Sequence, residues 1–188
     1  MIESADGASS IEGRSGALGN RSDHVVFGAL RAHADAIVVG MGTVIAERYG
    51  PPTQPGVTVY VVANRPAVPN GIPLFDQRAA TLVLTTDAGD PPPDVPVVRA
   101  GHGRNPDIAQ LCATLPGKVL NAEGGPTLAG AMIAQGLVDE LFVTIAPRAV
   151  AGSAGRILRG PDAPTDPWTL VHGFSDDDGF LFLRYARV

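Results

Sequence analysis

Short apolar runs that alternate with helix-like segments are the feature that most limits the folds open to this chain. Continuous runs of aliphatic and β-branched residues are typical of strands buried in a parallel sheet. Residues 35–40 form such a continuous run, and strand-like runs follow at 57–63, which is rich in β-branched residues, and at 81–85, 95–99, 118–122 and 139–146. Helices are predicted between them, with starts at a Ser22 cap, at Asn105-Pro106 and at Pro126, the last continuing to Gln135. This alternation predicts an α/β fold.

The C-terminal part of the chain follows a different pattern. Two strand-like runs, 168–174 and 180–185, are separated by a loop that ends at Gly179, which is typical of an antiparallel hairpin. Together with the α/β units they predict a mixed, mostly parallel sheet with helices on both faces. The length of 188 residues suits a single domain, 1–188.

Composition excludes several functional classes. The formal net charge of −5 argues against a basic groove for nucleic acid. The longest apolar stretch, 36–46, is far short of the roughly 20 residues that a membrane span needs. Without an apolar N-terminal stretch the chain is expected to be cytoplasmic. One cysteine and four scattered histidines predict no metal site.

The segment Lys118–Gln135 carries the strongest local motif. A strand runs into Glu123-Gly124-Gly125, and Pro126 then begins a helix. The first helical N–H groups have no intrahelical partner and favour an anion, such as a phosphate or pyrophosphate. An ordinary strand-to-helix turn is the alternative. The spacing resembles a P-loop, but Ala131 stands where its lysine belongs, so nucleotide hydrolysis is not expected.

A second glycine pair, Gly40-Met41-Gly42, follows the strand that ends at Val39. It resembles the start of a dinucleotide fingerprint, but Ile45 occupies the third glycine position and no acidic residue follows about twenty positions later. A Rossmann dehydrogenase is therefore disfavoured, and a tight turn at the strand end remains an equal interpretation.

Four stretches together resemble the reductase domain of riboflavin biosynthesis, a family of dihydrofolate-reductase-like pyrimidine reductases. They are SADG at 4–7, GRS at 13–15, ALRAHADAIVVGMGTVIAERYGP at 29–51 and EGGPTLAGAMIAQGLVDELFVTIAP at 123–147. The resemblance implies a dihydrofolate-reductase-like three-layer fold, NADPH as cofactor and a homodimer. It also implies hydride transfer to C1′ of a ribosylaminopyrimidine 5′-phosphate, which gives the ribitylamino product. The cofactor supplies the chemistry in such a reaction, and the protein supplies position and charge.

The resemblance also assigns residues. Glu123 is expected to be the catalytic residue and to contact the substrate, together with Ser15 and Arg31. The expected cofactor-binding residues are Thr43, Glu47, Asn64, Arg65, Gly124, Gly125, Pro126, Thr127 and Leu128. Arg65 would suit a 2′-phosphate. Three alternatives remain open: Arg65 as a solvated loop residue, Arg31 on the exposed face of its helix, and Glu123 as a cap of the glycine turn.

Two departures from the family pattern affect the functional prediction. Met1 stands only three residues before Ser4, so the first strand is expected to be nearly absent. Glu3 occupies a position where relatives carry a small residue, and its charge could repel a phosphate or crowd the nicotinamide. These departures leave a non-catalytic dimeric NADPH-binding protein as one alternative. A reductase of another pterin- or pyrimidine-like substrate is the other, because the fold alone does not fix the substrate. The sequence lacks zinc-deaminase motifs, so that activity is expected elsewhere.

Overall fold

A computed structural model describes residues 1–160, 162 and 167–188 of the chain. The strands are β1 (Ile2–Ser4), β2 (Ala36–Gly40), β3 (Thr58–Val62), β4 (Ala80–Leu84), β5 (Val97–Arg99), β6 (Leu120–Ala122), β7 (Glu140–Ala146), β8 (Trp168–Ser175) and β9 (Leu181–Arg187). The helices are α1 (Arg21–Ala32), α2 (Met41–Ala46), α3 (Pro73–Asp76), α4 (Ile108–Thr114) and α5 (Pro126–Ala134). Among the described helices, none combines the length and the apolar character that crossing a bilayer requires.

The chain divides into two compact units, and the boundaries fall within α1 and α5. Residues 29–128 form the first unit around a parallel sheet with the strand order β5-β4-β3-β2-β6. Its core is aliphatic and includes the fully buried Ile37, Val39, Val61 and Leu82. These residues come from runs without polar alternation, because the central strands bury both faces.

The strand order of the parallel sheet creates a switch point. From β2 the chain proceeds outward through β3, β4 and β5, and it then returns to place β6 on the other side of β2. The order along the sheet therefore reverses between the adjacent strands β2 and β6. Open parallel sheets bind ligands in the crevice at such a point.

Residues 1–28 and 129–188 form the second unit around a mixed sheet with the order β1-β7-β9-β8. The parallel pair is β1 with β7, and β9 runs antiparallel to both β7 and β8. Leu18, Ala146, Phe180 and Phe182 form one buried cluster of its core. The predicted α/β class and the C-terminal hairpin are confirmed, although the described strands form two hydrogen-bonded sheets rather than one. The assignment of 1–188 to a single domain stays a prediction.

Two predicted helix caps are wrong by two residues. Helix α1 begins at Arg21, and its cap is Asn20, whose Oδ1 accepts the N–H of Asp23 at 3.0 Å. Helix α4 begins after Asp107, whose carboxylate accepts the N–H of Gln110 at 2.9 Å. Ser, Asn and Asp are all good caps, so several neighbouring candidates compete and the sequence does not rank them. Strand β1 and the short helices α2 and α3 were not predicted.

Candidate functional site

The two glycine turns meet at the switch point of the parallel sheet. The N–H of Gly40, at the end of β2, donates to the carbonyl of Gly124 at 2.7 Å. The N–H of Glu123 donates to the carbonyl of Val38 at 2.9 Å, which extends the β2–β6 pairing to the start of the second turn. Two motifs more than eighty positions apart therefore form one local structure, from which α2 and α5 begin.

Thr43, in α2, forms a hydrogen bond that connects the two turns. Its Oγ1 accepts the N–H of Gly125 at 2.9 Å, and a Cβ added to Gly125 would lie only 2.6 Å from that oxygen. Gly124 has a φ of +84°, a conformation that favours glycine, and the Gly124–Gly125 peptide is cis. The positive φ of Gly124 and the closeness of Thr43 to Gly125 therefore explain why glycine occupies both positions. The Gly125 N–H is not one of the free donors that the sequence predicted, because Thr43 accepts it.

The first turn of α5 supplies the remaining donors. Pro126 has no N–H, whereas Thr127 is exposed and Leu128 is buried directly after it. The N–H groups in this turn have no intrahelical acceptor, and the helix dipole adds partial positive charge. An anionic group can be held at this point.

The other predicted cofactor residues lie at the same edge of the sheet. Asn64 and Arg65 are exposed and follow the carboxyl end of β3, the neighbour of β2. Glu47 is half-buried at the end of α2, where its N–H donates to the carbonyl of Thr43 at 2.9 Å. Their roles toward a cofactor stay predictions.

A buried carboxylate lies directly before the glycine turn. The Glu123 side chain is only 1% exposed, and four hydrogen bonds fill its acceptor positions. Arg31 donates through Nε to Oε1 and through Nη2 to Oε2, both at 2.6 Å. Asn121 Nδ2 donates to Oε1 at 3.1 Å, and the hydroxyl of Tyr49 donates to Oε2 at 2.9 Å. Such a bidentate arginine–carboxylate pair is strong and fixed in orientation.

This cluster decides between the alternatives for two predicted residues. The Arg31 side chain is 19% exposed and bound to Glu123, so it does not simply cover the exposed face of α1. The carboxylate of Glu123 accepts from Arg31, Asn121 and Tyr49, and it is therefore not a cap of the glycine turn.

Tyr49 belongs to this cluster although nothing in the sequence indicates it. Helix α2 ends in a Schellman motif, in which the N–H of Tyr49 donates to the carbonyl of Val44 at 3.0 Å and the N–H of Arg48 donates to that of Ile45 at 3.3 Å. Arg48, with a φ of 50°, occupies the left-handed position that glycine usually takes. No residue pattern around Tyr49 marks it as a hydrogen-bond donor to a distant carboxylate.

The environment of Tyr49 keeps its hydroxyl protonated. Burial raises the pKa of Tyr49 well above its usual value, and the charge of Glu123 raises it further. The Arg31 guanidinium carbon lies 5.2 Å from the centre of the tyrosine ring. Tyr49 therefore contacts both members of the ion pair.

The remaining predicted residues lie in the second unit. Ser15 is half-buried in the loop before α1, where its carbonyl accepts the N–H of Leu18 at 2.9 Å. Glu3 is half-buried in β1 and pairs with Ile145 of β7. Strand β1 is short, as expected, but it is present and paired in the sheet.

The SADG turn of the second unit is organised by Asp6. Its carboxylate accepts the hydroxyl of Ser4 and the N–H groups of Ala151, at 2.7 Å, and Val150. These hydrogen bonds, led by that of Ser4, lower the pKa of Asp6 to about 2. The residue therefore connects the N-terminal turn to the segment after β7.

Solved structures with the same fold belong to the reductase class. A pyrimidine reductase-like protein from Corynebacterium diphtheriae is 24% identical with a TM-score of 0.83, and the match covers 100% of this chain and 89% of that one. The riboflavin biosynthesis reductase of Saccharomyces cerevisiae is 19% identical with a TM-score of 0.75, over 100% and 87%. At these identities the likeness establishes the fold, and the predicted fold class is confirmed.

The family follows from the sequence match. Residues 1–182 match the RibD C-terminal domain family, and the chain belongs to that family. A 2,5-diamino-6-ribosylamino-4(3H)-pyrimidinone 5′-phosphate reductase from Methanothermobacter thermautotrophicus is 33% identical over 152 residues, which are 69% of this chain and 67% of that protein. The riboflavin biosynthesis protein RibD of Mycobacterium tuberculosis is 30% identical over 162 residues, which are 77% of this chain but 42% of that protein. The predicted family is thus confirmed, and the chain spans less than half of the mycobacterial relative.

Proposed function

We propose that this protein is an NADPH-dependent reductase that converts a ribosylaminopyrimidine 5′-phosphate into the ribitylaminopyrimidine 5′-phosphate in riboflavin biosynthesis. The observation that carries the proposal is the family match over residues 1–182, together with a relative named as a reductase of such a substrate. The geometry supports it, because the two glycine turns meet at the point where a parallel sheet binds ligands.

The donor set at this edge fits an anionic dinucleotide. The first-turn N–H groups of α5 would bind the pyrophosphate, and Thr43 fixes the turn that presents them. Arg65, exposed after β3, would bind the 2′-phosphate that distinguishes NADPH from NADH. When bound, NADPH supplies the hydride that reaches C1′ of the ring-opened substrate.

Arg31 and Glu123 would act on the substrate as a pair. All four acceptor positions of Glu123 are filled, so a direct contact with substrate would have to displace Asn121 or Tyr49. Arg31 is the more accessible member, at 19% against 1% exposed. We therefore assign the contact with the substrate phosphate to Arg31, and to Glu123 the role of holding that guanidinium in place.

The test is oxidation of NADPH by the purified chain in the presence of the deaminated ribosylaminopyrimidine phosphate. The loss of NADPH absorbance measures the reaction. Calorimetry with NADPH and NADH accompanies it, and tighter binding of NADPH is expected. Arg65→Ala should remove most of that preference and leave NADH binding unchanged. If neither nucleotide binds, the reductase proposal is wrong. Binding without turnover would favour the non-catalytic alternative, and turnover of only a different pyrimidine or pterin would favour the other-substrate alternative.

A homodimer is also part of the proposal. Strand β8 lies at the edge of the mixed sheet formed by the described residues and exposes Leu170, Val171 and Phe174, each about half-exposed. Exposed apolar side chains on an edge strand favour a contact surface. Light scattering should give twice the mass of the chain, and Val171→Glu should shift it toward the monomer. A monomeric wild type would contradict the dimer and leave the reductase proposal intact.

A further inference from the structure

We infer that Tyr49 is a positioning residue that orients the Arg31–Glu123 pair toward the phosphate of the substrate. The inference rests on the proposed function. It adds to that function a residue that neither the sequence motifs nor the family resemblance singles out.

The main chain of Tyr49 is fixed on both sides. Its N–H donates to the carbonyl of Val44 at 3.0 Å in the Schellman motif, and its carbonyl accepts the N–H of Leu74 at 2.9 Å. The ring packs against the aliphatic core of the parallel sheet, which includes Val44 and Leu74. Because the backbone and the ring are both constrained, the hydroxyl has a defined position next to Glu123.

Tyr49 restricts the pair at two points. Its hydroxyl donates to Oε2 of Glu123 at 2.9 Å, the same oxygen that accepts Nη2 of Arg31 at 2.6 Å. Its ring lies next to the guanidinium, 5.2 Å from the ring centre to the guanidinium carbon. The hydroxyl therefore sets the rotation of the carboxylate, and the ring limits the movement of the arginine. A bidentate arginine must keep its plane to bind an anion well.

A purely structural role for Tyr49 makes a different prediction. As a core residue, Tyr49 would affect stability and every kinetic constant in the same way. As a positioning residue, it changes, among the binding and kinetic constants, only those that depend on the group that Arg31 contacts. Tyr49→Phe separates the two, because it retains the ring and its packing and removes only the hydroxyl.

The experiment compares wild type, Tyr49→Phe and the control Tyr60→Phe, which removes a hydroxyl from the buried tyrosine of β3. KM and kcat are measured with the ribosylaminopyrimidine 5′-phosphate and with the corresponding nucleoside that lacks the phosphate. Dissociation constants for NADPH and for the phosphorylated substrate are measured by calorimetry. We expect Tyr49→Phe to raise KM and the dissociation constant of the phosphorylated substrate about tenfold, because a guanidinium and carboxylate that are no longer held in one orientation must be ordered when the substrate binds.

The nucleoside constants and the NADPH affinity of Tyr49→Phe are expected to stay close to those of Tyr60→Phe, whereas its melting temperature should be lower, because the lost hydrogen bond satisfies a buried carboxylate. Equal losses with the phosphate and with the nucleoside, or no loss with either, would overturn the inference. Absence of turnover in the wild type would instead contradict the reductase proposal. The calorimetric comparison of the phosphorylated substrate still decides the role of Tyr49 in that case, and a wild type that does not bind this substrate overturns both proposals.

Discussion

Removal of Arg31 and Glu123 together should cost much less stability than the sum of the two single removals. Arg31→Met retains the apolar stem but leaves the carboxylate, 1% exposed, with only Asn121 and Tyr49 as donors. Loss of one partner from a buried ion pair costs about 3–5 kcal/mol, and the two remaining donors place this case near the lower end. Glu123→Gln should cost about 2 kcal/mol, because the arginine that it leaves is partly exposed to water.

The double variant tests this reasoning. With independent effects the two substitutions would sum to about 5 kcal/mol, whereas removal of the whole pair should cost only about 2 kcal/mol, a coupling of roughly 3 kcal/mol. Urea denaturation of the wild type, both single variants and the double variant gives the coupling directly. The matched control is Arg78–Asp94, an ion pair of the same unit with both side chains 70% exposed and 3.0 Å apart. Its coupling should stay below about 0.5 kcal/mol. Additive effects at Arg31 and Glu123 would refute the energetic importance of their hydrogen bonds.

Three further predictions address other parts of the structure. Arg48→Gly should raise the free energy of unfolding by about 0.5 kcal/mol, because relief of the positive φ exceeds the entropic cost of glycine, and a lower melting temperature would contradict this. Asp6→Asn should remove a pH-dependent part of stability: the pKa of Asp6 falls from 3.8 to about 2 on folding, so its contribution is present above pH 3.8 and lost as the pH falls toward 2. Parallel stability–pH curves for wild type and Asp6→Asn in that window would show this assignment to be wrong. Gly125→Val should abolish NADPH binding in a folded protein, because its Cβ would displace Thr43 Oγ1 and distort the turn before α5, and unchanged affinity would limit Gly125 to a structural role.

Local patterns predicted the strands and the glycine turns well. The runs that became β2, β3 and β4 are rich in aliphatic and β-branched residues, which favour buried strands. Helix starts were less certain, since Asn20 and Ser22 both have a side chain that can cap a helix, and only the structure shows which one accepts an N–H.

The contacts that define the site could not be derived from sequence spacing. Thr43 meets Gly125 across 82 positions, and Tyr49 meets Glu123 across 74. Those encounters depend on β6 joining the sheet beside β2, a choice of topology that no local pattern records. The family resemblance supplied the identity of Arg31 and Glu123, and it did not show that the two side chains bind each other.

The mutual dependence of Arg31 and Glu123 has an evolutionary consequence. Ninety-two positions separate the two residues along the chain, and each leaves the other with an unmatched charge if it changes alone. Descendants that keep the phosphate contact should therefore keep both residues, and descendants that have lost it should exchange both, with single replacements rare. The tyrosine between them is restricted at its hydroxyl rather than at its packing, since phenylalanine keeps the same neighbours but loses the hydrogen bond to Glu123. Substitution histories should show paired change at the two charges and few phenylalanines at position 49 wherever the pair is kept.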